Sequence, residues 1–161
     1  LIIKKNQLPN DIRWHMIGHL QKNKVKLIAP FIYMIQSVDS IELLQKINQY
    51  AEINKRQINC LIQIKIAQEI SKFGFNIESV NKLLHSNYQT EYPYVNINGL
   101  MGIATLTNNQ TQIKKEFQSL IKLRSLINHK HPILSLGMSH DYEIAAEAGS
   151  NMIRIGSAIF Q

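Results

Sequence analysis

The chain has 161 residues, of which 45% are hydrophobic and 18% charged. That balance excludes a disordered chain and predicts one domain over residues 1–161, with enough apolar material for a real core. The formal net charge of +7 raises the question of a polyanion partner. The lysines are scattered, however, and never interleaved with aromatics as in a base-stacking surface, so no specific nucleic-acid partner is expected. Lysine or polar residues break every apolar run well before the ~20 residues of a membrane span. Leu1 to Lys5 is too short an apolar stretch for a signal peptide, so no membrane association and a cytoplasmic location are expected. Cys60 is the single cysteine, which excludes an internal disulfide; within Cys60-Leu61-Ile62-Gln63-Ile64 it reads as a small buried hydrophobe.

In chain order, Arg13 to Ile17 reads as a strand closed by Gly18. Within it Trp14 and Met16 point to the face opposite His15 and Ile17 and read as packing. Gln21 to Ala29 is a short basic helical segment stopped by Pro30, and Tyr33 to Val38 is a second strand. Asp39 and Ser40 offer N-cap oxygens to a helix running to about Lys55, with Ile41, Leu44, Ile47 and Tyr50 as its apolar stripe. Asn59 to Ile66 is a long apolar strand suited to burial on both faces. A helix over Ile77 to Asn87 and a strand at Val95 to Met101 follow. Next come a longer helix over Thr111 to Asn128, a strand at Ile133 to Leu136 and a brief helix over Tyr142 to Ala148 that Gly149 ends. The last strand is Met152 to Ile155, closed by Gly156.

Strands separated by helical pattern are the mark of parallel βα units, whose crossovers are right-handed. An open doubly wound sheet and a barrel both fit, and a closed eight-stranded barrel takes ~250 residues, about two βα units more than the pattern supplies.

Chemistry is most legible near the C-terminus. Leu134 to Asp141 and Ile153 to Ala158 each carry glycine and serine in the turn after a strand. There the backbone can approach a ligand and exposed N–H groups favour phosphate. Ordinary βα turns would read the same way. Arg154 stands between Ile153 and Ile155 in an apolar strand, and a buried guanidinium needs a partner, either a structural carboxylate or a ligand acceptor. His15 and His19 have H-x-x-x-H spacing, but it runs off a strand through Gly18 rather than along one helix face, which argues against a metal pair. His129 and His131 flank Lys130 before Pro132, where a solvated loop is expected. Pattern alone stops at a βα protein with a candidate phosphate site.

Four segments together resemble the pyridoxal-phosphate homeostasis family, whose members are similar to the N-terminal barrel of alanine racemase. They are Trp14 to Lys24; Leu61 to Ile64 with Glu69 to Phe75; Asn98 to Ile103; and Leu134 to Asp141 joined to Gly149 to Phe160. The first and last are specific, the middle two weak alone, and their order and spacing match the family along the whole chain.

The resemblance implies an (α/β)8 TIM-type barrel of the alanine racemase N-terminal kind, here with about six strands and its first two βα units missing. The chain would then start inside the second helix. It would lack the strand whose lysine forms the Schiff base with the cofactor, a role that Lys4 and Lys5 do not fill; no catalytic residue is expected. Beginning at Leu1 rather than methionine, the chain suggests a fragment, an unusual start codon or a trimmed sequence.

Pyridoxal 5'-phosphate is the cofactor the resemblance implies. Ser139, Gly156 and Ser157 match the positions that hold its phosphate, Arg154 matches the arginine facing the pyridine nitrogen, and Ile17 and Met138 match the ring pocket. Lys65 departs from the usual asparagine after the long central strand, and Gln161 from the usual glycine. The expected function is a non-catalytic cytosolic carrier of the cofactor. The alternatives are a remnant or fragment without covalent binding and, less favoured, a vestigial racemase. Two missing strands would expose barrel edges, so self-association and a stability below that of a complete family member are expected.

Overall fold

The computed structural model describes residues 1–67 and 73–160. The Glu69 to Lys72 stretch of the second resembling segment, and the departure at Gln161, lie outside the described residues. The described strands are β1 (His15–Met16), β2 (Met34–Val38), β3 (Ile58–Ile64), β4 (Val95–Gly102), β5 (Ile133–Met138) and β6 (Met152–Arg154). Each expected strand is present, trimmed or extended by a few residues where ladder pairing starts and stops.

The helices are α1 (Ile2–Gln7), α2 (Val25–Ile28), α3 (Ile41–Ile53), α4 (Ile77–His85), α5 (Tyr88–Glu91), α6 (Gln110–Ile121) and α7 (Tyr142–Ala148). Lys4 and Lys5 lie on α1, away from any strand.

Caps set the helix starts. Ser40, Asn76 and Asn109 accept from the N–H groups of Leu43, Ser79 and Gln112, each three residues on, at 3.3, 2.8 and 3.2 Å, satisfying donors the first turn leaves orphaned. Asp39, the other expected cap, turns instead to His19. The segment read as one helix to Asn128 divides. After α6, the Leu123 N–H bonds the Leu120 carbonyl at 2.9 Å and the chain tightens into a 3-10 turn over Arg124–Leu126, as helix ends commonly do. This swings Ile127 into the core. Helix α5 has no capping side chain and only four residues, too little pattern to be read beforehand.

The sheet has six strands in the order β1-β2-β3-β4-β5-β6, and every pair is parallel. That order decides between the two folds left open by pattern. A doubly wound sheet reverses direction at a switch point. Here each crossover steps the same way, and with the right-handed connection that parallel strands favour this stacks the helices on one face.

Curl follows from side chains on the other face. The Ser135 hydroxyl of β5 donates to Gln36 Oε1 of β2 at 2.7 Å. Strands three apart in a flat sheet would be separated by about 14 Å at the usual interstrand spacing. The sheet is therefore a curved wall, an open barrel arc whose concave face brings β2 and β5 within hydrogen-bond reach.

The larger core fills the convex side between sheet and helices, with Ile35, Leu44, Ile62, Leu100, Phe117 and Leu134 among its members. A smaller cluster of Met34, Leu61 and Met101 lines the concave side. All five residues of β2 are buried, the polar Gln36 and Ser37 included, as in a strand covered on both faces. Cys60 is fully buried, and burial pushes its thiol up, out of reach as a thiolate at neutral pH. Among the described residues no helix is long and apolar enough to cross a membrane.

Gly99 pairs with Ile133 between β4 and β5, and a Cβ there would lie 2.0 Å from the Ile133 carbonyl oxygen. Gly99→Ala should therefore force the two strands apart and lower stability by about 3 kcal/mol or more, as overpacking against backbone does. At Gly18 a Cβ meets nothing within 4 Å, so Gly18→Ala should stay within about 0.5 kcal/mol of the parent in denaturant unfolding.

Candidate functional site

Two glycine-bearing turns meet at the C-terminal ends of β5 and β6. In the first, Gly137 has φ +91° and a Cβ there would lie 2.7 Å from the Ala145 Cβ, so glycine lets α7 pack directly on β5. Asp141, buried at 4% exposure, accepts from the Met138 N–H at 2.6 Å and pins the turn. Asn151, just before β6, accepts from the Leu134 N–H at 2.7 Å and donates to the Pro132 carbonyl at 3.0 Å. These side-chain bonds hold β6 against β5 where ladder bonds are sparse.

Ser139 joins the two turns. Its hydroxyl accepts from the N–H groups of Gly156 and Ala158 at 3.2 and 3.3 Å. Two backbone donors thus converge on one oxygen, the arrangement by which a turn cradles an anion, and a Cβ on Gly156 would meet nothing within 4 Å. An oxyanion brought here would find amide N–H groups, a serine proton and room.

Below the turns, Arg154 is buried at 8% exposure. Its Nη1 donates to the Ser135 carbonyl and hydroxyl at 2.7 and 2.6 Å, and its Nη2 to the Gly102 carbonyl at 2.8 Å. Its hydrogen-bond partners are therefore neutral acceptors on β5 and β4, and no ion pair of Arg154 occurs among the described residues. Burial lowers the guanidinium to about 10, against an opposing through-space pull from Asp141, so it remains a cation at neutral pH.

Ser135 also links to Gln36, whose Nε2 lies 2.9 Å from His15 Nδ1 and 3.3 Å from Met152 Sδ. His15 stacks on Tyr33 with centroids 5.4 Å apart. Burial, and secondarily the charge of Arg13, lower its pKa below 6.5.

These groups surround one cavity of about 560 Å³, within the usual range for a small-molecule cleft. All six residues expected at the site line it: Ile17, Met138, Ser139, Arg154, Gly156 and Ser157. Trp14 and Met16 pack on the convex core instead. Neither Lys4 nor Lys5 lines the cavity.

The structure adds His15, Gln36, His140 and Met152 to the wall. Gln36 carries only a weaker form of the signal that marks Arg154, a polar but uncharged side chain inside a strand. His15 and His19 part company. His19 hydrogen-bonds Asp39 at 2.8 Å and stacks on Phe73 at 3.8 Å, beside a separate cavity of about 170 Å³ that Lys65 also lines.

The sequence model for the alanine racemase N-terminal domain matches residues 5–161. The pyridoxal phosphate homeostasis protein of Aquifex aeolicus is 35% identical over 154 residues, 93% of this chain and 67% of that protein. Its Helicobacter pylori counterpart is 36% identical over 163 residues, all of this chain and 72% of that protein; this chain thus spans about two thirds of such relatives. Among solved structures, PipY of Synechococcus elongatus with PLP bound superposes with a TM-score of 0.83 at 25% identity, covering 99% of this chain and 74% of that one. A protein from Bifidobacterium adolescentis gives 0.84 at 32% identity, covering 92% and 61%. Alanine racemase of Clostridium difficile gives 0.76 at 16%, covering 99% and 42%, a likeness of fold. The chain belongs to the pyridoxal phosphate homeostasis protein family, built on the alanine racemase N-terminal domain.

Proposed function

We propose that this chain holds pyridoxal 5'-phosphate reversibly in the cavity between β1, β5 and β6 and serves cofactor homeostasis in the cytosol without turnover. The observation that carries this reading is the convergence of the Gly156 and Ala158 N–H groups on Ser139, in the same cavity as a buried guanidinium bonded only to neutral acceptors. A phosphorylated aromatic fits both features. Its phosphate is matched by the cradle of Ser139, Gly156 and Ser157, and its ring by the apolar walls of Ile17 and Met138, with Arg154 at the ring nitrogen. Relatives named for pyridoxal phosphate homeostasis, and PipY solved with PLP, support the ligand.

The cofactor when bound supplies an aldehyde and a ring able to accept electrons. Arg154 works against the second property. A cation beside the ring nitrogen disfavours its protonation, and an unprotonated ring is a poor electron sink. Backbone donors and a serine hydroxyl bind phosphate without adding a proton acceptor near it. The side chains therefore favour holding over reaction, which is the case for a carrier.

Titration of the purified chain with pyridoxal phosphate should give a saturable complex. Ser139→Ala and Arg154→Lys should each weaken it about 10- to 100-fold, the worth of one charge-assisted hydrogen bond. Gly156→Val should weaken it while leaving the melting temperature near that of the parent, because the added side chain meets open space. No binding by the unaltered chain would leave the fold intact and withdraw the function from it.

Borohydride reduction of the complex followed by intact mass should show no covalent adduct, since neither Lys4 nor Lys5 lines the cavity. A single-site adduct would assign the attachment to another lysine, which peptide mapping would name.

The sheet also has open edges at β1 and β6, each with one neighbour among the described strands, and Ile17 and Ile153 beside them are each 43% exposed. Self-association through these edges is part of the proposal. Sedimentation velocity should show concentration-dependent mass, and a monomer at every concentration would remove it.

A further inference from the structure

The polar groups on the concave face form one connected line, His15, Gln36, Ser135 and Arg154, and the direction of every proton in it can be worked out. Arginine has donors only. Its Nη1 lies 2.6 Å from Ser135 Oγ, so that oxygen accepts and must send its own proton elsewhere. Ser135 is fully buried, and Gln36 Oε1 at 2.7 Å is its acceptor. That fixes the amide of Gln36 with its oxygen toward Ser135 and its Nε2 toward His15 Nδ1, 2.9 Å away. The contact of the same Nε2 with Met152 Sδ at 3.3 Å agrees with this orientation. A donor facing Nδ1 requires that nitrogen to be bare, so the imidazole is neutral and its proton sits on Nε2. Reversing the amide would aim two donors at Ser135 Oγ and strand the serine proton in a site closed to water.

We infer that Arg154, Ser135 and Gln36 act as a one-way hydrogen-bond relay that fixes the tautomer of His15. The relay thereby presents the Nε2–H of His15 to the cavity as a directed donor for an acceptor atom on the bound ligand. Ser135 and Gln36 are positioning residues, and His15 is the recognition residue they serve. The inference rests on the ligand reading proposed above and deepens it. Ser139 and Gly156 lie beyond the strand ends, whereas Gln36 and Ser135 lie inside β2 and β5. His15 therefore serves the part of the ligand that enters deeper than its phosphate.

Charged and titratable groups around His15 are Arg13 on the same segment, Tyr33 stacked on its ring and Arg154 through the relay. His140 lines the same cavity after β5, with Asp141 behind it. No carboxylate hydrogen-bonds His15 among the described residues, and His15 Nε2 has no partner there. The depressed pKa agrees in sign, since an imidazolium would have to break the bond from Gln36.

Long-range proton–nitrogen correlation spectra of the ligand-free chain test the relay without any cofactor. His15 should show the Nε2–H tautomer, with a titration midpoint below 6.5. Gln36→Glu should move the proton to Nδ1 and raise the midpoint above that of the parent. Ser135→Ala should free the amide and give a mixture of tautomers. A parent His15 protonated on Nδ1, or a Ser135→Ala protein with unchanged His15 signals, would overturn the relay. If neither variant folds, the tautomer of the parent still decides it.

His15→Phe keeps a ring to stack on Tyr33 and removes the donor. It should weaken pyridoxal phosphate binding about threefold to tenfold, the worth of one neutral hydrogen bond; unchanged affinity would overturn the recognition role. Failure of the parent chain to bind the cofactor would overturn the proposed function and this recognition role together, and the spectra would still decide the relay.

Discussion

A guanidinium withdrawn from water must find acceptors, and Arg154 finds its own on two strands, the Ser135 carbonyl and hydroxyl of β5 and the Gly102 carbonyl at the end of β4. The rest of the concave face is arranged around that requirement. Spending backbone carbonyls on a side chain is open only at a strand end or a register shift, and β5 and β6 do shift register between Ser135 and Met138. The same shift leaves the following residues free to turn. The register shift that accommodates Arg154 and the turn that carries Ser139 are thus one feature of the backbone.

Satisfying the arginine also shapes the wall. Once the Ser135 hydroxyl accepts from Arg154, its proton needs a partner on the interior, and only a strongly curved sheet brings Gln36 of β2 within 2.7 Å of it. Small residues permit that curvature. Gly99 lets β4 lie against β5 with no side chain between them, and a Cβ on Gly102 would come within 2.7 Å of Leu120 and 2.8 Å of Ile66 on the convex side. The Asn98 to Ile103 segment carried little meaning by itself in the sequence, and its glycines acquire one when both faces of β4 are seen. Apolar packing of Met34, Leu61 and Met101 then fills the space below the polar line.

Strands and helices were largely legible because their signals are local: period-two apolar runs, N-cap residues three positions before their partners, and Gly149 at φ +108° ending α7. Strand order is not legible in pattern alone, since a βα pattern is the same in a barrel and a doubly wound sheet; the family resemblance implies the barrel, and the order β1 to β6 bears it out. At the site, Arg154 was conspicuous as a charge in an apolar strand and Ser139 as a hydroxyl in a glycine turn. Gln36 and Ser135 are hard to single out in the sequence because uncharged polar residues occur in strands without consequence. Their importance lies in a contact spanning 99 residues of sequence, and no window along the chain displays it. Asp39 was misjudged for the related reason that a carboxylate beside a helix start has a distant competitor, here His19.

The site divides its work by chemistry. The cradle at the strand ends is backbone N–H and one hydroxyl, donors that do not themselves titrate near neutral pH. The deeper line contains the titratable members, and each is held in one state: Arg154 charged because three neutral acceptors surround it, His15 neutral because burial and Arg13 oppose its charge. Arg154 has donors only, and the Nδ1 of His15 faces the Gln36 amide, so neither side chain turns a free acceptor to the cavity. The concave wall commits most of its polar atoms to one another and leaves the Nε2–H of His15 as the donor that faces the cavity.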